Sequence, residues 1–367
     1  MMIRKTAAVA ALLLLGAASV QVMGQEGGPS PAQQAAARAR NEAQTALEAN
    51  YPKLNVDIKF LELAMPNDTM GETMGVSTNS KGHLFVYTRT ENQGIARGGK
   101  AAKLFEFDQN YKFVKEWGKN GYGESFAHAV RVDRHDNVWP VDEGSGMIVK
   151  FNPQGQHVFW LGRVPEAIDY LEANLEVLKF SRVQQPLPGK PVGRMGAFDR
   201  ETDIAFDSQD NMFIPDGYGN SRVVKITAKG DWVKAVGTNG SGPNQFSTPH
   251  AITSGEGDLI YVADRGNYRI QVYDNDLNFK KSITGIGAPW ALCTTMSKPE
   301  VIYSGDGTGK VYKIDPQSGK VLGMFITGQD HGSQNTGNLI HSLDCRDEHT
   351  VYIGSAAMWD VQKVTIK

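Results

Sequence analysis

The chain has 367 residues, 38 basic and 40 acidic side chains and a net charge of −2. No basic block stands out, which leaves nucleic acid a poor partner. Forty glycines and twelve tyrosines beside only 21% charged residues suit a turn-rich β protein.

Residues 1–24 read as a secretory signal: Arg4 and Lys5 form a basic start, Ala7 to Ala18 an apolar run, and Val22-Met23-Gly24 the cleavage region before Gln25. The apolar run is too short to span a bilayer, so no membrane span is expected. The mature chain is expected to be exported, periplasmic or extracellular, with a net charge of −4 once Arg4 and Lys5 are removed. Residues 25–53 are polar and alanine-rich without an apolar stripe, and read as a linker or loose helix outside the fold.

From residue 54 to 367 the periodicity is β and the chain repeats itself six times. Strand-like runs end at the landmark positions Arg89, Asp142, Asp216, Asp264, Asp306 and Ser355, which are 53, 74, 48, 42 and 49 residues apart. Each landmark run is followed by a hairpin such as K-L-F-E-F-D-Q-N-Y-K-F-V-K-E-W-G (103–118), two strands around an Asp/Asn/Gly turn. Four strands per unit at this spacing predict an all-β fold, a six-bladed β-propeller. Such a fold escapes the size limit of a single core, because each unit packs mainly on its neighbours. The sixth unit lacks an outer strand, which V-D-I-K-F-L-E-L (56–63) can supply, closing the ring and removing its exposed edge. The longest gap holds Ile168, Leu171, Leu175 and Leu178 at helical spacing, predicting a helical insertion over 165–180 between blades two and three.

About fourteen residues before each landmark lies a second column: Met74, His128, Thr202, His250, Trp290 and His341. Histidine in alternate copies of a sixfold ring places three imidazoles about 120° apart around the axis. Three neutral imidazoles suit zinc and leave a coordination position open. A lone histidine is more often a satisfied core residue; three in strict alternation point to a metal. Arg89 replaces the landmark aspartate of blade one, Arg265 follows Asp264, and Arg222 follows D-G-Y-G-N-S. Guanidinium groups beside a metal suggest a small-molecule or peptide-derived substrate carrying a carboxylate; the bland alternative is salt bridging to the landmark aspartates, the preferred reading for Arg222. Tyr218, two residues past Asp216, can reach the metal, where zinc and arginine are expected to lower its pKa and make it a base. Cys293 and Cys345 suit a disulfide in an oxidising compartment. They lie three and four residues past their column positions, which puts them on opposite faces of their strands and argues against pairing.

The segments Q-F-S-T-P-H (245–250), D-L-I-Y-V-A-D-R-G-N-Y-R-I-Q-V-Y (258–273) and D-G-Y-G-N-S-R-V-V-K (216–225) follow the NHL-repeat propeller pattern. With F-A-H-A-V-R-V-D (126–133), H-S-L-D (341–344) and T-V-Y-I-G (350–354), the chain from about Gly75 onward resembles the lyase domain of peptidylglycine α-amidating monooxygenase. The resemblance implies zinc on His128, His250 and His341, Tyr218 as base, and Arg89 and Arg265 at the substrate. It departs from the family in two places. Ser342 stands where an aspartate helps bind a structural calcium, which leaves calcium doubtful. Gly219 removes the disulfide beside the catalytic tyrosine. The helical insertion and the lack of a hydroxylating domain argue against a peptide-hormone role. The leading expectation is a zinc-dependent lyase cleaving an α-hydroxyglycine-type carbinolamide to an amide and glyoxylate. Alternatives are an exported, non-catalytic propeller that binds a ligand or protein, and a metal-dependent hydrolase or lactonase, disfavoured by the absence of carboxylates in the column.

Overall fold

The structure is a computed structural model that describes residues 30–66, 69–90, 102–119, 121, 123–162, 196–327 and 338–367. Six four-stranded antiparallel sheets make a six-bladed β-propeller, as the repeat implies. The innermost strands are Glu72–Thr78, Ala127–Val132, Ala205–Phe206, Pro249–Gly255, Pro289–Thr294 and Ile340–Cys345, in blades one to six. Blade six is completed by Val56–Phe60, which pairs with the last strand, Asp360–Ile366, from Val56 against Ile366 to Phe60 against Gln362. The N-terminal strand thus latches the ring through backbone hydrogen bonds.

Burial follows from the layering. Second strands such as Val138–Asp142, Met212–Asp216 and Ile302–Asp306 are buried at every residue, because both faces of each blade are covered by its neighbours. The outer strand Val56–Phe60 alternates between more and less exposed positions. The cores lie between blades. One packs Tyr261 and Ile270 of blade four against Leu292, Ile302 and Tyr312 of blade five. Full burial of a side chain such as Ile302 or Phe213 contributes about 1.5–3 kcal/mol.

Within the segment read as linker or loose helix, Pro31–Glu48 is an α-helix. Ser30 caps it in a reciprocal capping box with Gln33, with Pro31 in the first turn. The helix belongs to a unit separate from the propeller. The insertion expected over 165–180 lies outside the described residues. No described helix is long and apolar enough to cross a membrane.

The landmark aspartates are structural. Asp142, Asp216 and Asp264 accept the backbone N–H of Ser125, Asp199 and Ser247, all at 2.8 Å and all seventeen residues upstream. Each therefore ties down the loop leading into its blade's column residue. Arg222 pairs with Asp216 at 2.9 Å, deep in the protein, and Arg269 with Asp264 at 2.8 Å. Arg222 is thus a structural ion pair, in keeping with the bland reading.

One expectation fails. Cys293 and Cys345 form a disulfide, with Cα atoms 5.9 Å apart. They do lie on opposite faces of their strands, but the blades are adjacent. The far face of blade five and the near face of blade six meet in one core, which contains both cysteines. The bridge staples blades five and six across a sequence separation of 52. Replacing both cysteines by alanine is expected to lower unfolding stability by about 3–4 kcal/mol, measured by denaturant titration. A loss under about 1 kcal/mol would mean that the staple leaves the unfolded chain unconstrained.

Candidate metal centre

The histidines face the axis because each interrupts its strand. The pairing of the two inner strands shifts register between Ala127 and Ala129, between Pro249 and Ile252, and between Ile340 and Ser342, around His128, His250 and His341. The same shift surrounds Met74 and Trp290. A bulge leaves one residue unpaired and re-aims its side chain, and here the residue re-aimed is the column residue.

The other column members hold the imidazoles. His128 Nδ1 donates to the Thr202 carbonyl at 2.5 Å, His250 Nδ1 to that of Trp290 at 2.6 Å, and His341 Nδ1 to that of Met74 at 2.9 Å. A carbonyl only accepts, so the proton is on Nδ1 and Nε2 is the unprotonated, lone-pair-bearing nitrogen. Each histidine is bonded to the column residue of the next blade. Ring centroids are 4.7, 4.8 and 4.9 Å apart, and one ligand nitrogen from each ring lies within 4.8 Å of the other two. Among the described residues these histidines are the group able to hold a metal ion. The channel there encloses a void of about 10 Å³, room for a single ion or water.

Burial lowers all three histidine pKa values, with nearby guanidinium groups adding to the effect. His128 and His250 fall well below the usual range and His341 is pushed down to about 3. The imidazoles are therefore neutral, the form that binds metal.

Tyr218 leans over this trio. Its hydroxyl is 3.0 Å from His250 Nε2, 3.3 Å from His128 Nε2, and accepts from Arg265 Nη1 at 3.2 Å. The turn holding it needs Gly217, where a Cβ would lie 1.8 Å from the carbonyl oxygen of Pro249, the neighbour of His250. At Gly219 a Cβ would meet the Asp199 carboxylate, the movable end of a part-exposed side chain, so a larger residue there needs Asp199 to turn aside. The expectation of a lowered tyrosine pKa does not hold for the chain alone. Burial raises it, and Arg265 offsets only part of that rise.

The two arginines differ. Arg265 is buried and lies 4.0 Å over the Trp290 ring; among the described residues no carboxylate lies within ion-pair range of it. Arg89 lies 3.3 Å over Phe126, donates to the Ala127 carbonyl at 2.9 Å and pairs with Glu72 at 3.0 Å and Glu143 at 3.7 Å. Its partners are thus glutamates rather than the landmark aspartates. Trp290, Phe126 and Glu143 escaped the sequence reading; for Trp290 the signal was its place in the column.

An NHL repeat model matches residues 246–273, the strands around His250 and Asp264. The chain is 22% identical over 292 residues to the Caenorhabditis elegans "Probable peptidyl-alpha-hydroxyglycine alpha-amidating lyase pgal-1", covering 72% of this chain and 76% of that protein. It is 25% identical over 331 residues to "Peptidylglycine alpha-amidating monooxygenase" of Rattus norvegicus, covering 81% of this chain but only 30% of that longer protein. The chain is a six-bladed propeller that contains an NHL repeat and resembles the amidating lyases. Its fold also matches virginiamycin B lyase from Staphylococcus aureus, with a TM-score of 0.56 over 85% of this chain and all of that one, at 12% identity; this likeness concerns the fold alone.

For this propeller, alanine at His128, His250 or His341 is expected to abolish stoichiometric metal, measured by elemental analysis of purified protein. The far-ultraviolet spectrum and thermal midpoint should stay near those of the parent, because the blades pack without the channel ligands. Full metal content in any one variant would remove that histidine from the site.

Proposed function

We propose that this protein is a zinc-dependent lyase that splits an α-hydroxyglycine-type carbinolamide into an amide and glyoxylate. The observation that carries the reading is the Tyr218 hydroxyl, placed within 3.0–3.3 Å of two unprotonated Nε2 atoms and one guanidinium. Similarity to proteins named as amidating lyases supports it. The donor set fits zinc: three neutral imidazoles, each oriented by a carbonyl, with no further side-chain ligand among the described residues. A zinc ion held there supplies positive charge that acidifies a substrate hydroxyl and the neighbouring phenol.

The remaining work falls to the chain. Tyr218, as phenolate, takes the hydroxyl proton. The carbon–oxygen bond becomes a carbonyl, the electrons of the carbon–nitrogen bond leave with nitrogen, and nitrogen receives the proton. No water is consumed, which separates the reaction from hydrolysis. Arg265 uses one Nη to hold the Tyr218 oxygen, leaving the other for the substrate carboxylate, with the guanidinium kept flat by Trp290. Arg89 adds positive charge from the opposite side, damped by Glu72 and Glu143. The burial that raises the Tyr218 pKa also strengthens these interactions by excluding water. Residues 1–24 support export of the enzyme to the periplasm or beyond.

Tyr218→Phe is expected to keep zinc and fold while losing about 10²- to 10⁴-fold in turnover of an α-hydroxyglycine amide. The assay follows amide and glyoxylate in equal amounts. Parent-like turnover in the phenylalanine variant removes the tyrosine from the chemistry. A zinc-loaded parent that releases no glyoxylate favours the binding-platform alternative instead. Arg265→Ala should raise KM and lower kcat together, more strongly than Arg89→Ala, because Arg265 carries the unpaired charge.

A further inference from the structure

Beneath the histidines the channel is closed by an ion pair that the reaction does not use. Arg131 lies three residues past His128, and Asp203 directly follows Thr202. Arg131 Nε and Nη2 meet the two oxygens of Asp203 at 2.8 and 2.5 Å. The guanidinium also donates to the Leu343 carbonyl at 3.0 Å and the Leu292 carbonyl at 3.1 Å. Asp203 in turn accepts the backbone N–H of Ile252 at 3.1 Å. Leu343, Leu292 and Ile252 each lie two residues past their own column members, His341, Trp290 and His250. One guanidinium–carboxylate pair therefore joins blades two to six, one layer below the imidazoles. Blade one is linked next to it, where Val132 N–H donates to Ser77 at 3.1 Å.

The pair is also a partition. Arg131 lines both the small void at the histidines and a separate cavity of about 490 Å³ at the far mouth of the channel. The side chains of Arg131 and Asp203 are only 15% and 3% exposed, so neither charge is solvated enough to stand alone.

Two carbonyls and a carboxylate converging from different blades form an oxygen-donor set of the kind a hard divalent cation takes. Here that set is already occupied by a permanent cation with five N–H donors and no need of added ligands. Ser342, where the family's calcium-binding aspartate stands, offers a neutral hydroxyl with no hydrogen-bond partner among the described residues. The residues present do not fit calcium. We propose that the Arg131 guanidinium is the resident cation of the channel floor. It takes the oxygens a divalent ion would otherwise bridge and positions the histidine layer, so that the propeller holds its metal centre without calcium. This inference rests on the zinc site proposed above but not on the reaction assigned to it.

The test compares thermal midpoints of the full chain in calcium-free buffer and in millimolar Ca²⁺, with zinc held constant. The parent is expected to shift by less than about 1 °C, since a cation with no site on the native state cannot stabilise it. Arg131→Ala, which strands the buried Asp203 carboxylate, is expected to melt about 5–10 °C lower without calcium. It should recover part of that loss in Ca²⁺, and bind zinc about 10- to 100-fold more weakly, as when ligand support is lost. Arg131→Lys retains a cation and should stay indifferent to Ca²⁺ while keeping most of its zinc affinity. A parent midpoint that climbs several degrees with Ca²⁺ overturns the proposal. So does an alanine variant as stable as the parent, or one destabilised yet unresponsive to Ca²⁺. Should the alanine variant fail to fold in either buffer, the lysine variant decides. Calcium-dependent stability there, or loss of its zinc, sinks the idea.

Discussion

The centre of this protein depends on a ring of hydrogen bonds between column residues. Histidine Nδ1 atoms donate to the backbone carbonyls of Thr202, Trp290 and Met74, so blades two, four and six each reach across to the next blade. A carbonyl cannot move without its strand, so the ring orientations are set by the blades themselves. Every imidazole presents Nε2 to the axis as a consequence. The bulges that free the column side chains, and the aspartates that hold the loops before them, serve the same geometry.

The site combines two electrostatic demands that pull in opposite directions. Burial keeps the imidazoles neutral and ready for a metal, which favours binding. The same burial raises the Tyr218 pKa, which disfavours the phenolate a base requires. Arg265 and Arg89 offset part of that penalty, and Arg89 is itself restrained by Glu72 and Glu143. A metal bound beside Tyr218 would add positive charge that favours the phenolate.

The histidine cluster and the contacts that hold the fold lie in different parts of the ring. The propeller is held by inter-blade cores, the Cys293–Cys345 staple and the strand Val56–Phe60. The channel holds the histidine cluster above and the Arg131–Asp203 pair below. Because each blade buries its own faces against neighbours, the axis is free to hold polar and charged groups that a single-core domain would reject.

The ring number, the four-strand unit, the closing strand and the histidine alternation were legible in the sequence, because each is a periodic pattern and period is what a linear chain displays directly. The three histidines converge as their column spacing implied, and Tyr218 and Arg265, each just past a landmark aspartate, lie beside them. Four features could be decided only by tertiary structure. The disulfide needed to know that opposite faces of neighbouring blades meet. The glutamate partners of Arg89 are its strand neighbour Glu72 and Glu143 of the adjoining blade's turn, which meet it only once strands pair and blades close. The tyrosine pKa turned on burial, which spacing does not report. The Arg131 floor is built from backbone carbonyls, which carry no sequence signature at all. Side chains in register can be counted along a chain, whereas backbone groups and contacts between blades exist only once the ring has closed.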